Sequence, residues 1–298
     1  MTGPKVGVVV VNYNAGSDLR RALQSIADEL AGIEWEAVVV DNASTDGSGD
    51  AVAEFAPRAR LVRNEHNAGF ARGVNQGVAQ TSAPLVLIMN PDCRLMPGAF
   101  AAMRHEIGRS ERCAIAGPRI LDPDGSVQGS ARGDPDMFTG LFGRTTLLRR
   151  VLPGLAVSRR NVVSGTAVQD ASLKVDWLSG ACMLARREAL ESVHGMDERY
   201  FLYWEDADLC RRLRARGYHV LYVPSATAVH RVGQSSRRAR ASAIRAFHES
   251  AYLYYATHVA PGSWPRRLLA RLLLSARCRI HLRFGLQDRP RARSEAGA

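Results

Sequence analysis

The run KVGVVVVNYN, Lys5 to Asn14, constrains the fold more than any other part of this chain. Its valines succeed one another without polar alternation. A strand with one wet face would alternate, so this one predicts a strand covered on both sides, as in a parallel sheet between helices. The next segments suit such a sheet. Asp18 to Leu30 carries Leu19, Ala22, Leu23, Ile26 and Leu30 at helical spacing. WEAVVVDNASTDGS reads as a second strand entering a polar turn. ARLVRNEHNAGFARGVNQGVAQ reads as a short strand, a turn and a small-residue helix. PLVLIMNPDCRL reads as a fourth strand ending at Asn90-Pro91-Asp92, Pro97 to Gly108 as a helix and CAIAGPRI as a fifth strand. Strand and helix in alternation from the start imply an α/β domain with a largely parallel sheet.

The pattern loosens from Gly125 to Asp176, which is rich in Gly, Arg, Ser and Asp and reads as a functional or mobile loop system rather than core. VDWLSGACMLARREAL restores a strand and a short helix, and YHVLYVP and ATAVHRV read as two late strands. Arg237 to His258 and Ser263 to Phe284 read as two helices, with a disordered end after them. No internal repeat is visible.

At 298 residues, 46% hydrophobic and 23% charged, the chain has ample length for a buried core. Its longest uncharged run, Gly73 to Pro91, holds too many polar residues to span a membrane, and Val6 to Val11 is too short for a signal-peptide core. Five scattered cysteines without a Cys-x-x-Cys pair read as reduced thiols in a cytoplasmic protein. The net charge of +11 suggests nucleic acid until it is located. From Arg231 onward, fourteen arginines face only Glu249, Asp288 and Glu295, so the tail carries the whole excess and the first 230 residues are neutral. A nucleic-acid partner is therefore not expected.

Ligands of open α/β sheets bind beyond the carboxyl ends of the strands. Asn12-Tyr13-Asn14, Asp41-Asn42 and Asn90-Pro91-Asp92 lie there, without a Gly-x-Gly-x-x-Gly turn or a Gly-Lys-Ser/Thr loop. A nucleotide diphosphate held here would need a cation on a strand-end carboxylate. A second acidic feature is YFLYWEDADLCRRL, Tyr200 to Leu213. Asp208 has Arg211 and Arg212 within reach on a helix, whereas the sequence offers Glu205 and Asp206 no comparably obvious partner. By itself this pair reads first as carboxylates in the first turn of a helix, where unpaired N–H groups and the helix dipole favour them.

VVVNYN, VVVDNASTDGS, NAGFARGVNQG, LIMNPD, WLSGACMLARR, GMDERYFLYWEDADLCRRLRARGY and a late Val-His, in this order, resemble the family-two inverting glycosyltransferases of GT-A fold, over about Lys5 to Arg231. The DPDGS, WLSG and DERYFLYWEDADL stretches are most similar to bacterial rhamnosyltransferases, which move L-rhamnose from dTDP-rhamnose onto a lipid-diphosphate-linked sugar in cell-wall or surface-polysaccharide assembly. The resemblance implies a catalytic domain over 1–230, with a nucleotide half to about 120 and an acceptor half beyond it. Residues 231–298 form an appendage of basic helices and tail.

The resemblance also assigns residues. Asp41 takes the N3–H of a pyrimidine, and Asn12 and Tyr13 line the base and ribose pocket; Asp46 either joins them or caps the following helix. Asn67, Gly69 and Asn75 shape the turn and helix beneath the nucleotide, with Arg72 and Asn90 as further contacts. Asp92 is the last acid of a metal-binding Asp-x-Asp whose first position is Asn90 here, leaving one carboxylate fewer. His230 reaches a metal in relatives, or is a structural histidine after an apolar strand. Mg²⁺ or Mn²⁺ is the implied cofactor. Trp177, Ser179 and Gly180 line the donor and acceptor cleft, and Tyr203 and Trp204 offer faces for a sugar. Asp206 is the general base and Glu205 helps to hold the acceptor. A UDP- or GDP-sugar donor is the alternative within the fold. A non-catalytic module binding membranes or polyanions is the alternative outside it.

In the tail, Leu268, Leu269, Leu272, Leu273, Ala276 and Ile280 share a helical face, with Arg266, Arg267, Arg271 and Arg277 off it and Arg279 and Arg283 interrupting its end. This predicts a helix lying at the cytoplasmic face of the inner membrane, attracted to anionic lipid, where a lipid-linked acceptor resides. The alternative is a helix docked on the catalytic domain. The oligomeric state stays open, a homodimer included.

Overall fold

The computed structural model describes residues 5–134, 171–231 and 240–284. The elements run β1 (Val6–Asn12), α1 (Asp18–Glu29), β2 (Trp35–Asp41), a 3₁₀ turn (Ser48–Phe55), β3 (Ala59–Arg63), α2 (Phe70–Ala79), β4 (Leu85–Met89), β5 (Cys93–Leu95), α3 (Ala99–Gly108) and β6 (Cys113–Leu121). After them come β7 (Ala131–Arg132), β8 (Leu173–Val175), β9 (Trp177–Leu178), β10 (Cys182–Arg186), α4 (Arg187–Ser192), α5 (Glu205–Ala215) and β11 (His219–His230). The last elements are α6 (Arg240–Tyr254), a π-helical turn (Tyr255–Val259) and α7 (Trp264–Phe284).

The large sheet has the order β3-β2-β1-β4-β10-β6-β11-β5, with β8 also on β11, while β7 and β9 form a separate ribbon. β1 pairs in parallel with β2 and β4, β2 with β3, and β6 with β11. Because β4 and β6 both oppose β10, six of the nine strands run the same way. The sheet is therefore mixed but mostly parallel.

The valine run explains the layering. Val6, Val8 and Val10 enter one core with Leu19, Leu23 and Ile26 of α1 and Phe100 and Met103 of α3. Val9 and Val11 enter the other, with Ala71 and Val74 of α2 and Leu209 and Leu213 of α5. Each such valine removed from water stabilises the fold by about 1.5–3 kcal/mol, and alternation along β1 supplies both layers at once. α2 must come very close to β1. A Cβ at Gly73 would stand 2.8 Å from Val11 Cγ1, and one at Gly77 would overlap Val9, which is why this helix is built from small residues.

Three readings of the sequence need correction. VDWLSGACMLARREAL, read as one strand and a helix, holds the end of β8, then β9 and β10, before α4. The late strands YHVLYVP and ATAVHRV are one strand, β11. Its register against β6 shifts between Val223 and Thr227, where Pro224 cannot donate to a ladder. The stretch PLVLIMNPDCRL makes two strands, because after Asn90-Pro91-Asp92 the chain leaves β4 and β5 pairs with the end of β11 instead. That crossing carries Asp92 to His230. The helix expected from Arg237 is described from Arg240. Most of the expected loop system from 125 to 176, namely 135–170, lies outside the described residues, as does the expected tail after 284.

Among the described residues no helix is long and apolar enough to cross a membrane. α6 and α7 form a hairpin, and α6 packs on Leu202 and Trp204 just before α5. α7 turns Ala270 and Leu274 inward and leaves Trp264, Leu268, Leu269, Leu272, Leu273 and Ile280 exposed, Leu272 at 60%.

Candidate active site

The parallel strands β1 and β2 end level with each other, pairing Asn12 with Asp41. Both side chains are buried. The Asn12 amide donates to Asp41 Oδ2 at 3.1 Å and approaches the hydroxyls of Ser44 and Ser48 at 3.1 and 2.8 Å. The Ser44 N–H donates to Asp41 Oδ1 at 2.7 Å. Asp41 thus sits in a short turn and within a preformed polar cluster, with acceptor capacity on both oxygens still in hand. Asn12 Oδ1 is buried without a partner among the described residues. Asp46 accepts from the Ser48 N–H and hydroxyl at 3.0 and 2.6 Å and from the Gly16 N–H at 2.8 Å. These bonds lower its pKa against the opposing effect of burial, and they are bonds of a cap between two loops. Tyr13 comes directly after Asn12, half-buried.

Asn67 Oδ1 accepts the Gly69 N–H at 3.0 Å, and the Gly69 carbonyl accepts the Asn42 amide at 3.0 Å. Gly69 has φ +88°, and a Cβ there would stand 2.5 Å from the Phe201 carbonyl oxygen, so only glycine fits. Phe70 N–H donates to that same carbonyl at 2.8 Å. Asn75 directs its amide elsewhere. It donates to the Met196 carbonyl at 2.8 Å and to Glu198 at 3.0 Å, and accepts the Met196 N–H at 2.9 Å. Arg72 stands 3.9 Å from Glu198 at the surface. This group fastens α2 to the segment that leads into α5.

Past β4, the Asn90 N–H donates to the Ala181 carbonyl at 2.9 Å, and its amide nitrogen lies 3.4 Å from His230 Nε2. His230 Nε2 is 3.2 Å from Asp92 Oδ1. Gln128 assigns the tautomer. Its amide nitrogen donates to Asp122 and to the His230 carbonyl, both at 2.8 Å, so its oxygen faces His230 Nδ1 at 3.1 Å and receives the proton. In neutral imidazole Nε2 then carries a lone pair toward Asp92. A nitrogen and a carboxylate oxygen about 3 Å apart match adjacent ligands of a cation with ~2.1 Å bonds. The pair could hold Mg²⁺ or Mn²⁺ if a diphosphate and water completed the shell. Among the described residues no group of three or more His, Cys, Asp or Glu side chains is placed to hold a metal ion.

The acid pair opens α5. The Gly180 N–H donates to Asp206 Oδ2 at 2.9 Å, and the Ala207 N–H to Oδ1 at 2.8 Å. Gly180 and Ala181 are consecutive, so one peptide joins the Asp206 carboxylate to the Asn90–Asp92–His230 group. Both acids therefore lie beside the same strand ends, Asp206 bonded to Gly180 and Asp92 two residues beyond Asn90. Glu205 is different. It is 5% exposed, its Oε2 has no partner among the described residues, and burial first, then the charge of Asp206, push its carboxyl well above the usual carboxylate range. Its carboxyl is not offered at the surface of the cleft. The Ser179 N–H donates to the Ser130 carbonyl at 2.8 Å. Trp177 donates from its indole to the Gly133 carbonyl at 2.9 Å and carries the Arg132 guanidinium 5.0 Å over its ring. Tyr203 and Trp204 both have positive φ, 70° and 72°, and lean on α6: Tyr203 on Phe247, and Trp204 on Phe247 and Tyr254.

Of the ion pairs read from the sequence, Asp208–Arg212 forms at 2.6 Å, whereas Arg211 turns to Tyr254, the His258 carbonyl and Asp134. The sequence reading missed Gln128, which lies in an aperiodic loop, and Ser44 and Ser48, which looked like ordinary turn residues. It also missed His258, 50 residues beyond Asp208 and 2.6 Å from it.

Comparison with known proteins gives this arrangement its family. The profile of Glycosyl transferase family 2 matches residues 7–193. An N-acetylglucosaminyl-diphospho-decaprenol L-rhamnosyltransferase of Mycobacterium tuberculosis is 36% identical over 94% of each chain. The rhamnosyltransferase WbbL of Escherichia coli is 39% identical over 28% of this chain and 31% of its own. The fold is shared with a mannosyltransferase of Pyrobaculum calidifontis in complex with GDP-Man and Mn²⁺, at TM-score 0.57 and 19% identity over 95% of this chain and 71% of that one. With the family profile covering well over half its length and a relative matched nearly end to end, this chain belongs to glycosyl transferase family 2.

Proposed function

We propose that the cleft transfers L-rhamnose from dTDP-rhamnose to a GlcNAc-diphosphate-polyprenol acceptor with inversion, in cell-wall or surface-polysaccharide synthesis. The observation that carries the reading is the single peptide, Gly180–Ala181, between Asp206 on one side and Asn90, Asp92 and His230 on the other. An inverting transfer needs a carboxylate on the acceptor side of the anomeric carbon and charge compensation on the diphosphate side. Asp206 takes the proton of the acceptor hydroxyl as its oxygen bonds to the anomeric carbon, while the bond to the diphosphate breaks and its electrons leave with the nucleotide. Asp92 and His230 would hold a divalent cation, which offsets the charge gathering on that diphosphate. Asp41, fixed by Asn12 and Ser44, receives the N3–H of the pyrimidine, and Asn67 and Gly69 shape the floor beneath it. Tyr203 and Trp204 line the acceptor side.

A polyprenol-linked acceptor cannot leave the bilayer, so the enzyme must work at its surface. α7 supplies the seat: an exposed face of Leu268, Leu269, Leu272 and Leu273 with Arg266, Arg271 and Arg279 around it and no acidic residue in the helix. Lying in the interface at the cytoplasmic side, such a helix gains apolar burial and about 1 kcal/mol per arginine near anionic lipid. The reading is tested with a panel of dTDP-, UDP- and GDP-sugars in the presence of Mg²⁺ or Mn²⁺. Thermal stabilisation and transfer are expected to be strongest with dTDP-rhamnose; preference for a UDP- or GDP-sugar would replace the donor while keeping the chemistry.

A further inference from the structure

Helix α5 begins in a way that its own sequence does not enforce. Tyr203 and Trp204 both occupy the left-handed region, which bulky side chains seldom adopt, and no side chain caps the helix at Trp204. Such a conformation persists only where its surroundings hold it. The C-terminal helices do so. The Trp204 ring lies 5.3 Å from Tyr254, the Ser250 hydroxyl donates to the Leu202 carbonyl at 3.0 Å, and Arg211 donates to the His258 carbonyl at 3.2 Å.

One contact reaches further in. His258 lies in the π-helical turn, a widening that often marks functional positions. Its Nε2 is 2.6 Å from Asp208 Oδ1. Asp208 is 1% exposed, and its other oxygen receives Arg212 Nε at 2.6 Å; Arg212 continues to the carbonyls of Val193 and Gly195. Asp208 shares the first turn of α5 with Asp206. That turn is therefore gripped from two sides, by Gly180 on Asp206 and by His258 on Asp208.

We propose that His258 is a positioning residue for the transfer: by donating to Asp208 it fixes the first turn of α5 and thereby the direction of the Asp206 carboxylate. The C-terminal hairpin is then part of the catalytic centre as well as its membrane seat. The inference rests on Asp206 acting as the base. A misdirected base slows the chemical step and leaves donor binding intact.

The test uses the full chain as wild type, His258→Ala, His258→Gln and Asp206→Asn. His258→Ala is expected to lower kcat about tenfold, with the donor KM within about twofold, and to speed amide exchange at 203–208. His258→Gln, whose terminal amide can still donate to Asp208, restores most of both. Should His258→Ala not fold, the same criteria apply to His258→Asn, whose amide is too short to reach. The inference is overturned if a folded variant without the donor keeps wild-type kcat, if the loss lies in KM alone, or if glutamine restores nothing. An inactive Asp206→Asn beside a fully active His258→Ala sinks the positioning role alone. An Asp206→Asn enzyme at wild-type rate sinks the base, and the positioning role with it.

Discussion

The surroundings of Asp41 and of Asp206 differ in how far their bonding is local. Around Asp41, side chains from consecutive strand-end loops bond one another: Asn12, Ser44, Ser48, Asp46 and the Gly16 N–H form a polar network on a floor of parallel strands, which leaves Asn12 Oδ1 without a partner among the described residues and holds the small residues Asn14 and Ala43 at positive φ. Around Asp206, the Tyr200 hydroxyl, the Trp204 indole nitrogen and Glu205 Oε2 are buried without partners among the described residues, and two bulky residues hold positive φ. The Asp41 cluster can be preformed by local sequence, because its loops leave adjacent strands. The first turn of α5 is shaped from a distance by α6 and the π-helical turn, at a cost in local bonding. Unmet polar groups and strained backbone tend to collect where function requires them.

Four changes sharpen or break that contrast. The largest effect is expected from Asn12→Ala. It strips the buried Asp41 carboxylate and two serines of their shared donor, and should cost about 2–3 kcal/mol in denaturant melts and weaken nucleotide binding. A loss below about 0.5 kcal/mol would mean the network is not what holds these loops. Next, Leu269→Glu with Leu272→Glu should weaken binding to anionic vesicles about tenfold, or ~1.4 kcal/mol, with unchanged thermal stability, since both side chains are exposed. Equal vesicle binding by the pair would remove α7 as the membrane seat. Third, Trp204→Phe keeps the contacts with Phe247 and Tyr254 and discards an unpartnered N–H. Its stability should stay within about 1 kcal/mol of wild type, and a larger loss would reveal a hidden bond.

The smallest effect concerns pH. Burial, reinforced by Asp206, raises the folded pKa of Glu205 above the ordinary glutamate value of 4.5. The folded state then holds that proton more tightly than the unfolded chain. Stability from this group is complete below the ordinary value and is lost as pH rises through the folded one. Glu205→Gln lacks that loss, so its melting temperature relative to wild type should climb with pH. A flat difference would place Glu205 in an ordinary, solvated setting.

Much of the structure from β1 to α3 was legible in the sequence, because it is local. The valine run declared a doubly covered strand, α1 announced itself by its spacing from Leu19 to Ile26, and Asn12 and Asp41 had to end adjacent strands. The small residues of α2 were visible, though their reason, close passage over Val9 and Val11, was not. The later elements were legible only in fragments. Asp92 meets His230 because the chain leaves β4 and joins the far side of the sheet, which no periodicity encodes. Gln128, which fixes the His230 tautomer, sits in a loop without pattern. The adjacent acids looked alike in sequence, yet folding separates them: Asp206 accepts the Gly180 N–H, while Glu205 is buried. The positive φ at Tyr203 and Trp204 had no sequence signal, since neither is glycine or asparagine.

The central claim is that Asp206 removes the acceptor proton in a rhamnosyl transfer. Single-turnover transfer from dTDP-rhamnose to a GlcNAc-diphosphate-lipid analogue, measured for wild type and Asp206→Asn with dTDP affinity determined alongside, tests it most directly. Nucleotide affinity is expected to be unchanged and transfer to be slowed by about 10²–10⁴-fold. Transfer at the wild-type rate by the asparagine variant would contradict it.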